Sequence, residues 1–148
     1  MTIITQAKTK VVNAFVPKNV RGCCLASSII LKEILDKKGI KSTIKQGYLT
    51  NGNYASTHYY LEVNEDIIDV GTEVFNRLVP NGPSISAILT LCNDIPDDTM
   101  RMDMETLEEI ERTTQMIQMY KDYLIDPKSY WNKAPHQFLR MRKKLLRS

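Results

Sequence analysis

Cys24, His58 and Asp69 are the residue types of a nucleophilic triad, and they come in that order along the chain. In such a triad a thiolate attacks a carbonyl carbon. An imidazole takes up the thiol proton and later protonates the leaving group, while a carboxylate holds the imidazole in one tautomer and stabilises its charged form. Cys24 lies in the stretch Arg21 to Leu35, RGCCLASSIILKEIL, where Ala26, Ile29, Ile30, Ile34 and Leu35 recur at helical spacing and predict one buried face. A sulfur in the first turn of a helix meets the positive end of the dipole and unpaired backbone N–H groups, which favour thiolate over thiol. The chemistry these residues allow is attack on the carbonyl of an amide bond.

The elements that would hold them follow from local pattern. The cysteine helix is predicted from about Cys24 to Lys38, with Gly39 as its C-terminal cap and Lys37 and Lys38 complementing the dipole. Residues 40–49 read as a strand, Asn51-Gly52-Asn53 as a turn, and His58 to Val63 as a second strand rich in aromatic and β-branched residues. Asn64-Glu65-Asp66 is a tight turn into a third strand, Ile67 to Val70, antiparallel to the second because the connection is so short. His58 and Asp69 would then sit on paired strands with the helix packed across them.

Upstream, Ala7, Val11, Val12 and Phe15 predict a short helix ended by Pro17. Downstream, residues 71–102 carry few signals, Ser84 to Cys92 fitting a short helix or a strand equally. Leu107, Ile110, Ile117, Tyr120 and Leu124 mark an amphipathic helix from about Asp103, its expected N-cap, to Leu124, stopped by Asp126-Pro127. A last helix is predicted from about Pro135 to Leu146. One helix, a three-stranded antiparallel meander and further C-terminal helices make an α+β domain, with the cysteine-bearing helix packed on a small antiparallel sheet.

A chain of 148 residues is read as one domain, 1–148, with 43% apolar and 25% charged residues, the composition of a soluble globular protein. No apolar run is long enough to span a membrane, and the N-terminus lacks the layout of a secretory signal. Three cysteines, Cys23, Cys24 and Cys92, make no disulfide framework, which points to a reducing, cytoplasmic location. No metal-ligand spacing, phosphate-binding glycine loop or dinucleotide fingerprint is present, so no metal or cofactor is expected. From Lys128 to Ser148 there are seven Lys or Arg and no acid, which against a whole-chain charge of +3 leaves about −4 for the rest. Such a tail is a solvated helix face in its plainest reading, and otherwise a contact for an acidic partner or nucleic acid.

The chain also resembles the transglutaminase-like superfamily, circularly permuted relatives of papain-type cysteine proteases. The resemblance rests on Gly22-Cys23-Cys24 at a helix start, Gly39-Ile40 after it, Gly47-Tyr48 late in the next strand, His58-Tyr59-Tyr60-Leu61-Glu62-Val63, and Asp69-Val70. It covers about residues 20–75, roughly half the chain, with residues 103–148 as a helical extension. It implies Cys24 as nucleophile, His58 as base, Asp69 as orienter and the Cys24 backbone N–H in an oxyanion hole, with Asn13 or Asn19 as candidates for the second donor. It implies a protein or peptide substrate. Tyr60 stands where the family often has tryptophan, Asp69-Val70-Gly71-Thr72 replaces a frequent Asp-Pro-Thr, and no calcium loop is visible. Hydrolysis of peptide or isopeptide bonds, deamidation and acyl transfer to an amine all remain compatible.

Other readings stand beside this one. Cys23 is the alternative nucleophile, otherwise structural; Cys92 reads as core; Tyr48 and Tyr60 read as packing or as cleft walls. His136 opens a helix and has no expected role. The whole chain could also be an inactive module of the same fold that binds a protein partner, or could bind nucleic acid through its basic tail.

Overall fold

The cysteine-bearing helix lies at the centre of the molecule, and the other elements are arranged around it. The structure is a computed structural model, and it describes residues 2–18, 23–50, 54–78, 90–91, 101–102 and 106–147. Helix α1 (Ile3–Phe15) ends in a 3-10 turn (Val16–Lys18) at Pro17, and α2 (Cys24–Lys37) follows. The sheet is β1 (Thr43–Thr50), β2 (Tyr54–Val63) and β3 (Asp66–Ile68), after which the chain enters α3 (Val70–Leu78). Two short strands, β4 (Thr90–Leu91) and β5 (Arg101–Met102), precede α4 (Leu107–Ile125), α5 (Pro127–Lys133) and α6 (His136–Arg147).

The α+β class and the antiparallel meander are as the sequence pattern predicts. β2 is flanked by β1 and β3, with Gly47 opposite His58 and Leu61 opposite Ile68. β4 adds antiparallel to the outer side of β1, and β5 adds parallel to the far end of β2. The β2–β3 turn has two residues, Asn64 and Glu65, both at positive φ (51° and 71°), the geometry that matches strand twist in a tight hairpin. Gly39, at φ 75°, leaves α2 through the left-handed region where a side chain is disfavoured.

Helix α2 is buried on nearly every side from Cys24 to Leu31, not on one face. α1, α3 and α6 pack around it along with β2, so apolar residues all round its surface find partners. Its two buried serines are satisfied locally: Ser27 and Ser28 both donate to the Cys24 carbonyl, at 3.3 and 2.6 Å. Ala7, Val11, Val12 and Phe15 form the buried face of α1, as expected.

Three expectations are corrected. The strand read over Ile67 to Val70 stops at Ile68; Asp69 caps α3, whose Val70 and Val74 turn into the core. Helix α4 starts at Leu107, not near Asp103. Thr106 caps it in a reciprocal box, accepting from the Glu109 N–H while the Glu109 carboxylate accepts from the Thr106 N–H. Its seam of Leu107 and Leu124 faces solvent, 85% and 60% exposed. Tyr120 of the expected seam does pack, together with Thr113, Met116 and Tyr123. Larger surfaces decide the rotation: the Tyr120 ring lies 4.8 Å from that of Tyr59, and Tyr123 meets Tyr130 edge-on. The stop at Asp126-Pro127 also starts α5, since the Asp126 carboxylate accepts from the Lys128 N–H and proline suits the first helical position. Most of Ser84 to Cys92 lies outside the described residues, as do Asn19 and Cys92 itself.

The C-terminal helices are tied to α2 by one carboxylate. Glu33 accepts from the Trp131 indole N–H at 2.6 Å and from Arg142 Nε at 2.8 Å, and the Arg142 guanidinium lies 4.6 Å over the Trp131 ring.

Candidate active site

Cys24 is the first residue of α2 and His58 lies mid-strand in β2, where α2 crosses the sheet. Asp69 sits where β3 gives way to α3. These three elements bring the three side chains together. Asp69 is held as an N-cap, its Oδ1 accepting from the Thr72 backbone N–H at 3.1 Å. The Thr72 hydroxyl donates to Oδ2 at 2.6 Å. So anchored, the carboxylate receives His58 Nε2–H at 2.8 Å (Oδ1) and 2.9 Å (Oδ2). The Thr72 hydroxyl oxygen stands 3.4 Å from the same ring nitrogen.

On its other side the imidazole lies beside Cys24, whose sulfur favours the charged ring. With Nε2 taken by Asp69, Nδ1 is the ring nitrogen left to serve the sulfur. Gly71 confirms how close the two groups lie. A Cβ there would fall 2.8 Å from Cys24 Cβ, 3.1 Å from Cys24 Cα and 3.1 Å from His58 Cε1. A side chain at position 71 would therefore force Cys24 or His58 to shift.

The electrostatics follow from burial and pairing. Burial of His58, 5% exposed, disfavours its charged form, but bonds to Asp69 and Cys24 and their charges outweigh this and push it from 6.5 up to about 10. Burial alone would raise Asp69; the His58 bond and charge, then Thr72, bring it below the ordinary carboxylate value. The imidazole is thus positively charged at neutral pH, between a carboxylate and a sulfur.

Cys23 behaves differently from its neighbour. Burial, and next the charge of Cys24, push its thiol up to about 12. A sulfur so disfavoured as thiolate makes a poor nucleophile, and of the two adjacent cysteines Cys24 is the one whose side chain lies beside the imidazole.

The first-turn N–H groups of α2 have no side-chain cap, in contrast to α1, α4 and α5. The Cys24 N–H is among those a helix start leaves without an intrahelical acceptor. Asn13 is not near it: its side chain accepts from Arg77 on the exposed flank of α1. Asn19 falls outside the described residues. The triad opens on a cleft of about 530 Å³ whose walls include Leu49, Val74 and Phe75 beside Met116, Met119 and Phe138 from α4 and α6. Tyr48 and Tyr60 do not line it; Tyr60 is 1% exposed and serves packing. Sequence reasoning missed Thr72, Gly71 and the C-terminal wall of the cleft. The spacing of Asp69 and Thr72, three residues apart before Val74 and Leu78, carried an N-cap signal that would have found the first of these.

No family model, curated protein or solved structure matches this chain.

Proposed function

We propose that the chain is a thiol-dependent hydrolase or acyltransferase of the transglutaminase-like kind, acting on amide or isopeptide bonds of a protein or peptide. The observation that supports this most is the run of hydrogen bonds from Thr72 through Asp69 to His58, with His58 and Cys24 side by side against Gly71 on the wall of a cleft. In this reading the Cys24 thiolate attacks the carbonyl carbon, and the developing oxyanion is met by the Cys24 N–H at the helix start. The His58 imidazolium gives its Nδ1 proton to the leaving nitrogen as the C–N bond breaks, leaving a thioester and neutral imidazole. Imidazole then takes a proton from water or from an amine, which attacks the thioester and frees the sulfur. Hydrolysis and deamidation use water; transfer uses an amine. Asp69 keeps Nδ1 aimed at the sulfur throughout. Free thiols at positions 23 and 24 suit a reducing, cytoplasmic setting. Among the described residues, no helix is long and apolar enough to cross a membrane.

The test is site-resolved alkylation. Iodoacetamide at near-neutral pH should label Cys24 far faster than Cys23 or Cys92, as read by peptide mass. Acyl donors captured as thioesters on Cys24 would then identify the substrate, and Cys24→Ala should abolish turnover with the fold kept. Slow, equal labelling of all three cysteines would overturn the proposal and leave a non-catalytic binding module. Full turnover by Cys24→Ala would remove Cys24 from the mechanism.

A further inference from the structure

The basic C-terminal segment resolves into two unlike sets of cations. Lys133 pairs with Asp122 and Arg142 with Glu33, both within the fold. Arg140, Lys143, Lys144 and Arg147 are exposed, and none has a hydrogen bond or ion pair to another described residue. Their spacing of i, i+3, i+4 and i+7 puts all four on one stripe of α6. The apolar side chains of the same helix, Phe138, Met141, Leu145 and Leu146, pack against the core. Lys37, at the end of α2, donates to the Leu146 carbonyl, so the end of α2 abuts the end of α6 and Lys38 follows it, exposed. The nearest acids on α2 are occupied: Glu33 by Arg142 and Asp36 by Lys32.

We infer that this stripe binds the phosphate backbone of a nucleic-acid duplex, without reading sequence. The composition of the face selects the partner. A protein interface needs an apolar centre, and a membrane-surface helix needs apolar side chains to bury in lipid. Both kinds of side chain on α6 are already used in the core. Single strands are gripped by successive bases stacking on several aromatic side chains, and this face offers only the lone imidazole of His136 at its start. The four cations dominate what remains, and cations are what a duplex backbone requires. Arg140 to Arg147 spans about 10 Å at 1.5 Å per residue, enough to face about three phosphates of one strand at 3.4 Å each. With Lys37 or Lys38 engaged the number rises to about four. This surface is independent of the cleft chemistry.

Fluorescence anisotropy with a labelled 20-base-pair DNA duplex tests it on the full chain. Binding should weaken roughly a hundredfold between 50 and 200 mM KCl, a log–log slope of about −3 to −4 at about 0.9 per neutralised phosphate. The variant R140Q/K143Q/K144Q/R147Q should lose the binding and keep the rate of Cys24 alkylation. K143Q/K144Q, a milder change, should reduce the slope by about 2. No duplex binding at 50 mM KCl, equal binding by the four-site variant, or tighter binding to a single strand would overturn the inference. So would capture by phosphatidylserine vesicles or a polyglutamate peptide in the absence of duplex binding.

Discussion

Asp69→Asn separates the carboxylate's charge from its place in the fold. Asparagine caps helices as well as aspartate does, so the bond from the Thr72 N–H, at 3.1 Å in the native protein, is retained and α3 should form. The charge facing His58 Nε2 is lost. The rise of His58 from 6.5 to about 10 corresponds to about 5 kcal/mol in favour of imidazolium over imidazole, at 1.36 kcal/mol per pH unit. Asp69 provides the largest of the contributions that raise it, and burial, which opposes it, is unchanged in the variant. The midpoint should therefore fall by about 2 pH units or more. An amide N–H pointed at Nε2 also selects the tautomer with its proton on Nδ1, so acyl transfer should drop on the order of 10²- to 10⁴-fold. The chain has two histidines, and His136→Gln removes the exposed one, so an NMR titration of the remaining ring reports His58 alone. A His58 midpoint within one pH unit of wild type would refute the reasoning. Stability gives a second reading. A group raised in the folded state adds stability that is whole below pH 6.5 and lost as pH climbs through about 10. Asp69, lowered by folding, adds stability that is lost as pH falls through its depressed value. Both shifts report one interaction and count once. Denaturant melts should show stability falling between pH 6.5 and 10 in wild type and a flatter profile in Asp69→Asn.

Gly71→Ala drives a methyl into Cys24 and His58 at 2.8 and 3.1 Å; it should cost about 1–3 kcal/mol of stability and slow Cys24 alkylation by about 10²-fold, measured by melting and by peptide mass. Wild-type alkylation in that variant would show that the site tolerates displacement. Glu33→Ala leaves Trp131 Nε1 and Arg142 without their shared acceptor and should destabilise the fold by about 2–3 kcal/mol, lowering the melting temperature by about 5–10 °C. Glu65→Gly relieves a side chain at φ 71° in the β2–β3 turn and should stabilise by up to about 1 kcal/mol, read as a higher urea midpoint with unchanged m.

The sequence was most legible where local rules and burial agree. Gly39 marked the end of α2 and the Asn64-Glu65 turn marked the hairpin, because chain reversal leaves few choices of backbone angle. The order Cys24, His58, Asp69 was readable because chemistry restricts residue type. Asp69 itself was misplaced. The β-branched run Ile67, Ile68 and Val70 favours a strand locally, yet the cap bonds from Thr72 and the burial of Val70 and Val74 win in the folded chain. The rotation of α4 was legible only in part: Tyr120 packs as expected, while Leu107 and Leu124 face solvent. Periodicity located an apolar seam, but ring contacts of Tyr120 and Tyr123 with other elements turn the helix so that the Leu107 and Leu124 edge of that seam is exposed. The walls of the cleft depend on where α4 and α6 dock, which spacing along the chain does not encode.

Asp69 has two tasks, and they share one fate. Fraying of the first turn of α3 breaks the Thr72 N–H bond and, in the same motion, frees the imidazole to rotate away from the sulfur. A nascent or heat-loosened chain would therefore hold Cys24 disarmed, its sulfur uncoupled from the imidazole until α3 is capped. Deuterium uptake at the Thr72 amide would time that disarming directly, one backbone proton serving as the safety catch's indicator.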